Sequence, residues 1–235
     1  MRTGAFAEQV VVHESQVLGI PTSVPMTSAA LLSCGVVTGF GAVANVARVV
    51  PGSSVVTIGT GGIGLNCIQG AAICGSQVNI AVDLVDEKIQ AALQLGATHG
   101  INPANDDIND KIGQLTEGRG ADYVFVAAGS AAAVEQALTL VRRAGMVVLV
   151  GMTAEGVTAQ FETLNLANDA IQLVGSKMGQ THLDTDIPRL VDHYLEGSLK
   201  LDELVSECYP LEGINDAITA VKEGQALRNV IVFDS

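Results

Sequence analysis

Tryptophan is absent from this sequence of 235 residues, aromatic residues make up only 3%, and 12 lysines and arginines stand against 25 aspartates and glutamates. The net charge of −13 repels a nucleic-acid backbone or an anionic membrane surface, so we expect neither as a partner. The longest apolar stretch, residues 31–50, is interrupted by glycines, Asn45 and Arg48, and no basic region leads into an apolar one at the N-terminus. The composition therefore predicts a soluble, cytoplasmic protein.

Cysteine is also scarce. The four cysteines, Cys34, Cys67, Cys74 and Cys208, form no CxxC pair and no regular disulfide spacing, as expected in a reducing compartment. Cys67 and Cys74 lie seven residues apart, about two helical turns, which favours small buried side chains in a helix. Cys208 is likewise predicted to be structural.

A glycine-rich segment carries the strongest functional signal. It leads from an apolar strand at residues 55–58 through spaced glycines into a helix predicted at 62–73. Gly59 permits a tight turn, Gly61 lets the backbone approach a pyrophosphate, and Gly64 lets the helix pack closely on the strand. The anion would lie at the helix N-terminus. The segment predicts a dinucleotide-binding site, with a purely structural turn as the alternative.

Asp83 follows the next apolar run, residues 78–82, nineteen residues after Gly64. A carboxylate there accepts hydrogen bonds from the hydroxyls of an adenosine ribose and repels a 2′-phosphate. The next three residues, 84–86, include no arginine to hold such a phosphate. The pattern therefore favours NAD over NADP, and the alternative is that Asp83 merely caps the helix that begins near Asp86.

Short β-branched runs alternate with helical segments from residue 54 to about 177, which predicts an α/β fold with a six-stranded, doubly wound parallel sheet. Strands are predicted near 55–58, 78–82, 100–102, 123–127, 146–150 and 171–175, and helices near 62–73, 87–95, 108–116 and 131–141. Gly75, Gly96 and Gly145 stand where a helix should end. The strands are apolar throughout, which implies burial on both faces.

The flanking segments follow another pattern. Residues 7–12 resemble a strand, and a helix is predicted to begin at 28–32. Beyond Gly179 we expect a helix at 186–195, an extended segment at 204–209, a helix at 214–221 and a closing strand at 230–233. These segments predict a second lobe.

Several stretches together resemble the zinc-type alcohol dehydrogenases of the medium-chain dehydrogenase/reductase superfamily. They are the segments at residues 4–8, 33–41, 51–53, 96–98, 120–123, 175–176 and 228–233, with Gly151. Residues 34–39 and 200–205 look most like the class III, formaldehyde-dehydrogenase-like branch. The resemblance implies a Rossmann domain at 36–177, between remnants of a GroES-like catalytic domain at 1–35 and 178–235.

The resemblance also identifies Cys34 as one of three ligands of a catalytic zinc. The other two, a Cys and a His in a Gly-His-Glu motif, have no counterpart in this sequence, so we expect an incomplete zinc site, since a catalytic zinc needs three protein ligands. The histidines are interpreted as solvated or satisfied side chains: His13, His99, His182 and His193. For Cys34 itself, a zinc ligand and a buried core residue remain equally open.

The coenzyme contacts implied by the resemblance cover the whole dinucleotide. Thr38 would pack on the nicotinamide ring, and Asp83 and Lys88 would bind the adenine ribose, although Lys88 is equally explained as a solvated helix residue. The pyrophosphate would be bound by Gly61, Gly62 and Ile63 with Arg228, whose guanidinium suits a bidentate phosphate contact. The nicotinamide end would contact Ala127, Ala128, Val150, Met152, Ser176 and Met178.

The resemblance implies an NAD-dependent alcohol dehydrogenase that transfers a hydride between an alcohol/aldehyde pair and NAD. A zinc-free quinone or enoyl reductase of the same superfamily is an alternative, which the Cys34 segment disfavours. A nucleotide-binding or assembly module without turnover is another. The last strand of the sheet would expose an edge, so we expect a homodimer in which this strand pairs with its twin.

Overall fold

The computed structural model describes residues 4–224 and 226–233, which form two compact units. One unit is Cys34–Thr181, and the other combines the described residues up to Ser33 with those from His182 onward. The unit boundaries thus fall after residues 33 and 181, whereas the predicted segments end at 35 and 177.

Strands and helices are numbered in chain order. The strands are β1 Ser54–Ile58, β2 Val78–Val82, β3 His99–Ile101, β4 Ala121–Val126, β5 Val141–Leu149, β6 Gln172–Gly175, β7 Val205–Tyr209 and β8 Arg228–Ile231. The α-helices are α1 Met26–Leu31, α2 Val37–Gly41, α3 Gly64–Ile73, α4 Asp86–Gln94, α5 Ile108–Leu115, α6 Ala131–Leu140, α7 Thr163–Asn168, α8 Leu183–Leu195 and α9 Ile214–Lys222.

Within the described residues, the larger unit contains a six-stranded sheet in the order β3-β2-β1-β4-β5-β6, and every pairing is parallel. This order reverses direction between β1 and β4, the place where doubly wound sheets bind their ligands. The predicted fold class is confirmed. In the smaller unit, β7 and β8 form a two-stranded parallel sheet.

The core of the larger unit lies on both faces of the sheet. Strand β1 is buried along its whole length, with Val56 and Ile58 in one apolar cluster and Val55 in another. This alternation is the period of two that a strand imposes. Cys67 belongs to the second cluster, as predicted, and burial raises the pKa of its thiol to about 12.

A polar cluster ties together the amino-terminal ends of the central strands. Asp122 accepts hydrogen bonds from the Ser54 amide and hydroxyl, both at 2.7 Å, and from Arg142 Nε at 2.5 Å. Partial burial of Asp122 opposes its ionisation, but the Ser54 and Arg142 contacts outweigh that penalty and lower the pKa of the carboxyl group. The cluster therefore stabilises the charged form of Asp122.

Four local expectations were wrong. Gly145 does not end a helix, because β5 begins directly after α6 and includes Gly145. Residues 7–12 form no strand. Strand β6 is only partly buried, since it is one of the two edge strands of the sheet within the described residues. Cys208 is exposed on β7, which does not suit a core residue.

By length and composition alone, the helical run Met26–Ala47 could cross a membrane. However, 61% of its most apolar window is buried inside the fold. Ala42, Val43 and Ala47 lie in the second apolar cluster, against Val55 of β1. Burial within the protein therefore accounts for the apolar character of this segment.

Candidate functional site

The glycine loop after β1 connects three strands at the carboxyl edge of the sheet. Gly59 has a φ of 89°, which a residue with a Cβ rarely adopts. Its amide donates to Val82 O of β2 at 2.8 Å, and a Cβ added at this position would lie 2.9 Å from Ala128 N, just beyond β4. The loop therefore lies at the reversal of the strand order.

The other two glycines of the motif have different surroundings. A Cβ at Gly64 would lie 1.8 Å from Gly59 O, so the first turn of α3 packs against the loop more closely than any other residue type allows. A Cβ at Gly61 would meet no atom within 4 Å. The backbone around Gly61 thus borders open space.

Asp83 joins the glycine loop to the end of β2. Its Oδ2 accepts hydrogen bonds from Thr60 N at 2.7 Å and Thr60 Oγ1 at 3.0 Å, and its Oδ1 accepts one from Val85 N at 3.1 Å. Val85 is the N-cap residue of α4, and it caps without a side-chain bond. Asp83 thus makes two hydrogen bonds to the loop and one to the backbone just before α4.

A cavity of about 270 Å³ lies at this edge of the sheet. Its lining includes Gly59, Asp83 and Ala128, together with Ile58, Val82, Leu84, Pro103, Ser130, Ala132, Ala133 and Gln136. Lys88 lies on α4, is half-buried and is not among the lining residues. The cavity is mostly apolar with a carboxylate at one side, as a site for an adenine nucleoside would be.

The loops that follow β4 and β5 approach each other backbone to backbone. A Cβ at Gly151 would lie 2.7 Å from Ala127 O, and one at Gly129 would lie 2.7 Å from Met152 O. Ala127, Ala128, Val150 and Met152 are thereby brought together. Sequence reasoning missed the role of Gly129 and did not explain Gly151, although a glycine two or three residues beyond the end of each strand was a usable signal.

Ser176, Met178 and Thr38 complete this part of the edge. Ser176 N donates to Leu149 O of β5 at 2.9 Å, and the Ser176 hydroxyl oxygen is buried without a hydrogen-bond partner. A buried polar atom without a partner is costly, and a bound polar ligand would satisfy it. Thr38 Oγ1 lies 3.7 Å from Met178 Sδ, so these two predicted ring contacts are neighbours.

Comparison with known proteins agrees with this geometry. A family model described as zinc-binding dehydrogenase matches residues 62–196, more than half of the chain. The chain belongs to the zinc-binding dehydrogenase family.

Relatives of this chain include alcohol dehydrogenases. Alcohol dehydrogenase class-3 of Cereibacter sphaeroides is 33% identical over 242 residues, which cover 99% of this chain and 64% of that protein. Alcohol dehydrogenase B of Mycobacterium tuberculosis is 37% identical over a region that covers 98% of this chain and 62% of that protein. The crystal structure of benzyl alcohol dehydrogenase from Acinetobacter calcoaceticus has a TM-score of 0.92 and 32% identity, and the match covers 96% of this chain and 62% of that protein. The chain thus spans less than two thirds of the length of these relatives.

The described residues of this chain do not supply a complete set of ligands for a metal centre. Between residues 4 and 233, apart from the undescribed residue 225, no three His, Cys, Asp or Glu side chains converge as a metal site requires. His13 Nδ1 accepts from Ser15 N at 3.2 Å, and His99 and His193 contact hydroxyl groups. His182 is the N-cap residue of α8.

Cys34 lies in a wide π-helical turn, Leu32–Val36, and it is exposed. The interpretation of Cys34 as a buried core residue is therefore wrong, whereas an exposed thiol suits a ligand. Wide turns of this kind are frequent at functional sites in helices.

Arg228 is the first residue of β8 and is half-buried in the smaller unit. The glycine loop belongs to the larger unit. The contact between Arg228 and a phosphate therefore stays a prediction.

Proposed function

We propose that this chain is the coenzyme-binding part of an NAD-dependent alcohol dehydrogenase, which acts on a small alcohol or aldehyde. One observation carries the proposal: the Gly59–Gly64 loop borders open space at Gly61 and is tied by Thr60 to the Asp83 carboxylate. Membership of the zinc-binding dehydrogenase family and the alcohol dehydrogenase relatives support the same activity over that of a quinone or enoyl reductase.

The residues of the loop would act on the two phosphates and on the adenine ribose. Amide groups at Gly61, Gly62 and Ile63 would donate to the diphosphate, because these residues lead into the N-terminus of α3, where backbone N–H groups suit an anion. Asp83 would accept hydrogen bonds from the ribose hydroxyls and repel the 2′-phosphate of NADP.

NAD supplies the hydride acceptor at its nicotinamide ring. The chain would orient that ring through backbone around Ala127 and Val150, through the unpartnered Ser176 hydroxyl, and through Thr38 with Met178. This positioning restricts the ring to one orientation, which is the contribution that a protein makes to a coenzyme reaction. Cys34 is the zinc ligand that we propose from this chain.

Calorimetric titration tests the proposal. We expect the wild-type chain to bind NADH at least about tenfold more tightly than NADPH. The negative charges of the Asp83 carboxylate and of the 2′-phosphate of NADPH would repel each other at a distance of a few ångströms. Gly61→Val should weaken NADH binding about tenfold or more, because its side chain would occupy the open space that the diphosphate needs. Gly113→Ala, on α5 and equally free of neighbours, is the matched control and should bind as the wild type does.

Tighter binding of NADPH, or unchanged NADH binding by Gly61→Val, would contradict this proposal. Production of NADH from an alcohol in the presence of zinc separates an active dehydrogenase from a module that only binds nucleotide.

A homodimer is part of the proposal. Strand β6 pairs with β5 on one side, and within the described residues no strand covers its other side. Leu173 and Val174 are half-buried there, so pairing with the same strand of a second copy would cover apolar side chains and unpaired backbone groups. Light scattering at micromolar concentration should give the mass of a dimer, and a mass of one chain would refute this.

We also propose that the protein acts in the cytoplasm. The four cysteines are all free thiols in the structure, which suits a reducing compartment. A fluorescent fusion examined by microscopy tests this location.

A further inference from the structure

The chain makes a left-handed turn beside the predicted nicotinamide site. Met178, Gly179 and Gln180 have φ angles of 52°, 61° and 48° in succession. Residues with a Cβ are unfavourable in this conformation, so two of the three need support from their surroundings. Strained backbone of this kind persists where neighbouring structure holds it, and it clusters at functional sites.

Helix α2 supports the turn from one side. A Cβ at Gly179 would lie 2.2 Å from Val37 O, and one at Gly41 would lie 2.6 Å from Gly179 O. Thr181 Oγ1 donates to Met178 O at 2.7 Å and contacts Val37 O at 3.3 Å. The turn therefore has no room to move toward α2 and is bonded to it at its end.

Asn45 holds the middle of the turn. Its Nδ2 donates to Gly179 O at 3.2 Å. Asn45 lies in a second wide turn of the helical segment, Ala42–Ala47, which ends at Arg48 with a φ of 52°. Its neighbours Ala42, Val43 and Ala47 are buried and apolar, and the Asn45 side chain links this apolar stretch to the turn.

We propose that Asn45 is a positioning residue that fixes the turn 178–180 and thereby places Met178 against the nicotinamide end of the coenzyme. The inference rests on the proposed function, because it concerns the orientation of the bound NAD. It assigns a role to a side chain that lies outside the glycine loop and outside the predicted contacts. The adenine and diphosphate end of the site does not depend on this turn, since Gly61 and Asp83 are held by β1, β2 and α3.

A pair of ligands separates positioning from general damage. ADP-ribose carries the adenine, both riboses and the diphosphate of NADH but no nicotinamide ring. Asn45→Ala should raise the Kd for NADH about three- to tenfold, as the loss of one hydrogen bond implies, and leave the Kd for ADP-ribose within about twofold. Asn45→Asp keeps the shape of the side chain, removes the donor and turns an oxygen toward Gly179 O. The ratio of the Kd for NADH to the Kd for ADP-ribose should therefore change at least as much as in Asn45→Ala.

Two further variants complete the experiment. Asn229→Ala is the matched control, because its amide also donates to a backbone oxygen, Ala217 O at 3.0 Å, and its loss should leave the ratio of the two Kd values unchanged. Thr181→Val removes another donor to the turn and should shift the ratio in the same direction as the Asn45 variants, which keeps the test valid if those fold poorly.

The outcomes are distinct. A wild-type chain that binds neither NADH nor ADP-ribose would overturn the proposed function. A wild-type chain that binds both, with Asn45 variants that change neither Kd or change both by the same factor, would overturn only the positioning role.

Discussion

Asp83→Asn tests the carboxylate that joins the glycine loop to β2. The amide keeps the shape of the side chain, but only one of its two atoms can accept a hydrogen bond. In the wild type, Val85 N donates to Asp83 Oδ1 at 3.1 Å. In the variant, with the amide oxygen turned to Thr60, the amide nitrogen faces Val85 N instead. One bond is lost and the two at Thr60 become neutral. Bonds to charged groups contribute about 1.5–3 kcal/mol and neutral ones about 0.5–1.5 kcal/mol.

Asp83 is half-exposed, so its hydrogen bonds contribute at the lower end of these values. We therefore expect Asp83→Asn to lower the free energy of unfolding by about 1–2 kcal/mol. Urea titration without coenzyme measures it directly. In a thermal scan each kcal/mol should lower Tm by about 2–4 °C for a chain of this size. An unfolding free energy equal to that of the wild type would refute the idea that this carboxylate braces the loop.

The same variant tests coenzyme choice. Two unit charges 4 Å apart repel by about 4 kcal/mol at an effective dielectric constant of about 20, and partial exposure of Asp83 reduces this value. Removing the charge should therefore narrow the preference for NADH over NADPH by about tenfold or more in calorimetric titrations. If Asp83→Asn kept the wild-type preference, another group would have to set it.

The remaining predictions concern stability and thiol chemistry. Gly64→Ala should lower the free energy of unfolding in urea by about 2 kcal/mol or more, because its Cβ would meet Gly59 O, whereas Gly113→Ala should raise it by about 0.5–1 kcal/mol. The pKa of Asp122 is lowered, so its ionised contacts stabilise the fold at neutral pH and are lost as the pH falls from the ordinary value of 3.8 through the lowered pKa. The stability gap between wild type and Asp122→Asn should accordingly shrink on acidification, and a constant gap from pH 7 to 3 would contradict this. Cys67, with a pKa near 12, should react with Ellman's reagent only on unfolding, whereas exposed thiols react at once; early labelling of Cys67 would show that its burial is incomplete.

Much of the larger unit was predictable from the sequence. The apolar runs identified all six strands of the parallel sheet, and the start of α3 followed from its glycines. Strand β5 was predicted to begin at residue 146 but begins at Val141. Its first residues include two arginines and a glycine. A search for apolar runs does not detect a strand with this composition. Residues 7–12 show the opposite error, because β-branched residues there find no partner strand within the described residues.

Part of the candidate site was also predictable. Gly59, Gly61, Gly64 and Asp83 lie within one crossover unit, so their spacing along the chain fixes their spacing in the fold. The burial of Cys34 was left open by the sequence, because a short helical segment does not reveal which of its faces will be covered. Tertiary packing exposes this thiol.

By itself, the sequence determined which segments of the larger unit become the strands of its sheet. It also determined the glycine turn after β1 and the acidic residue Asp83 after β2. Both follow from side-chain periodicity and backbone freedom, which act over a few residues. Only the tertiary structure decided what depends on residues far apart in the chain. Asn45 meets Gly179 across 134 positions, and Thr38 meets Met178 across 140. No local propensity encodes such contacts, since they exist only once the sheet has set the distance between the segments that it carries.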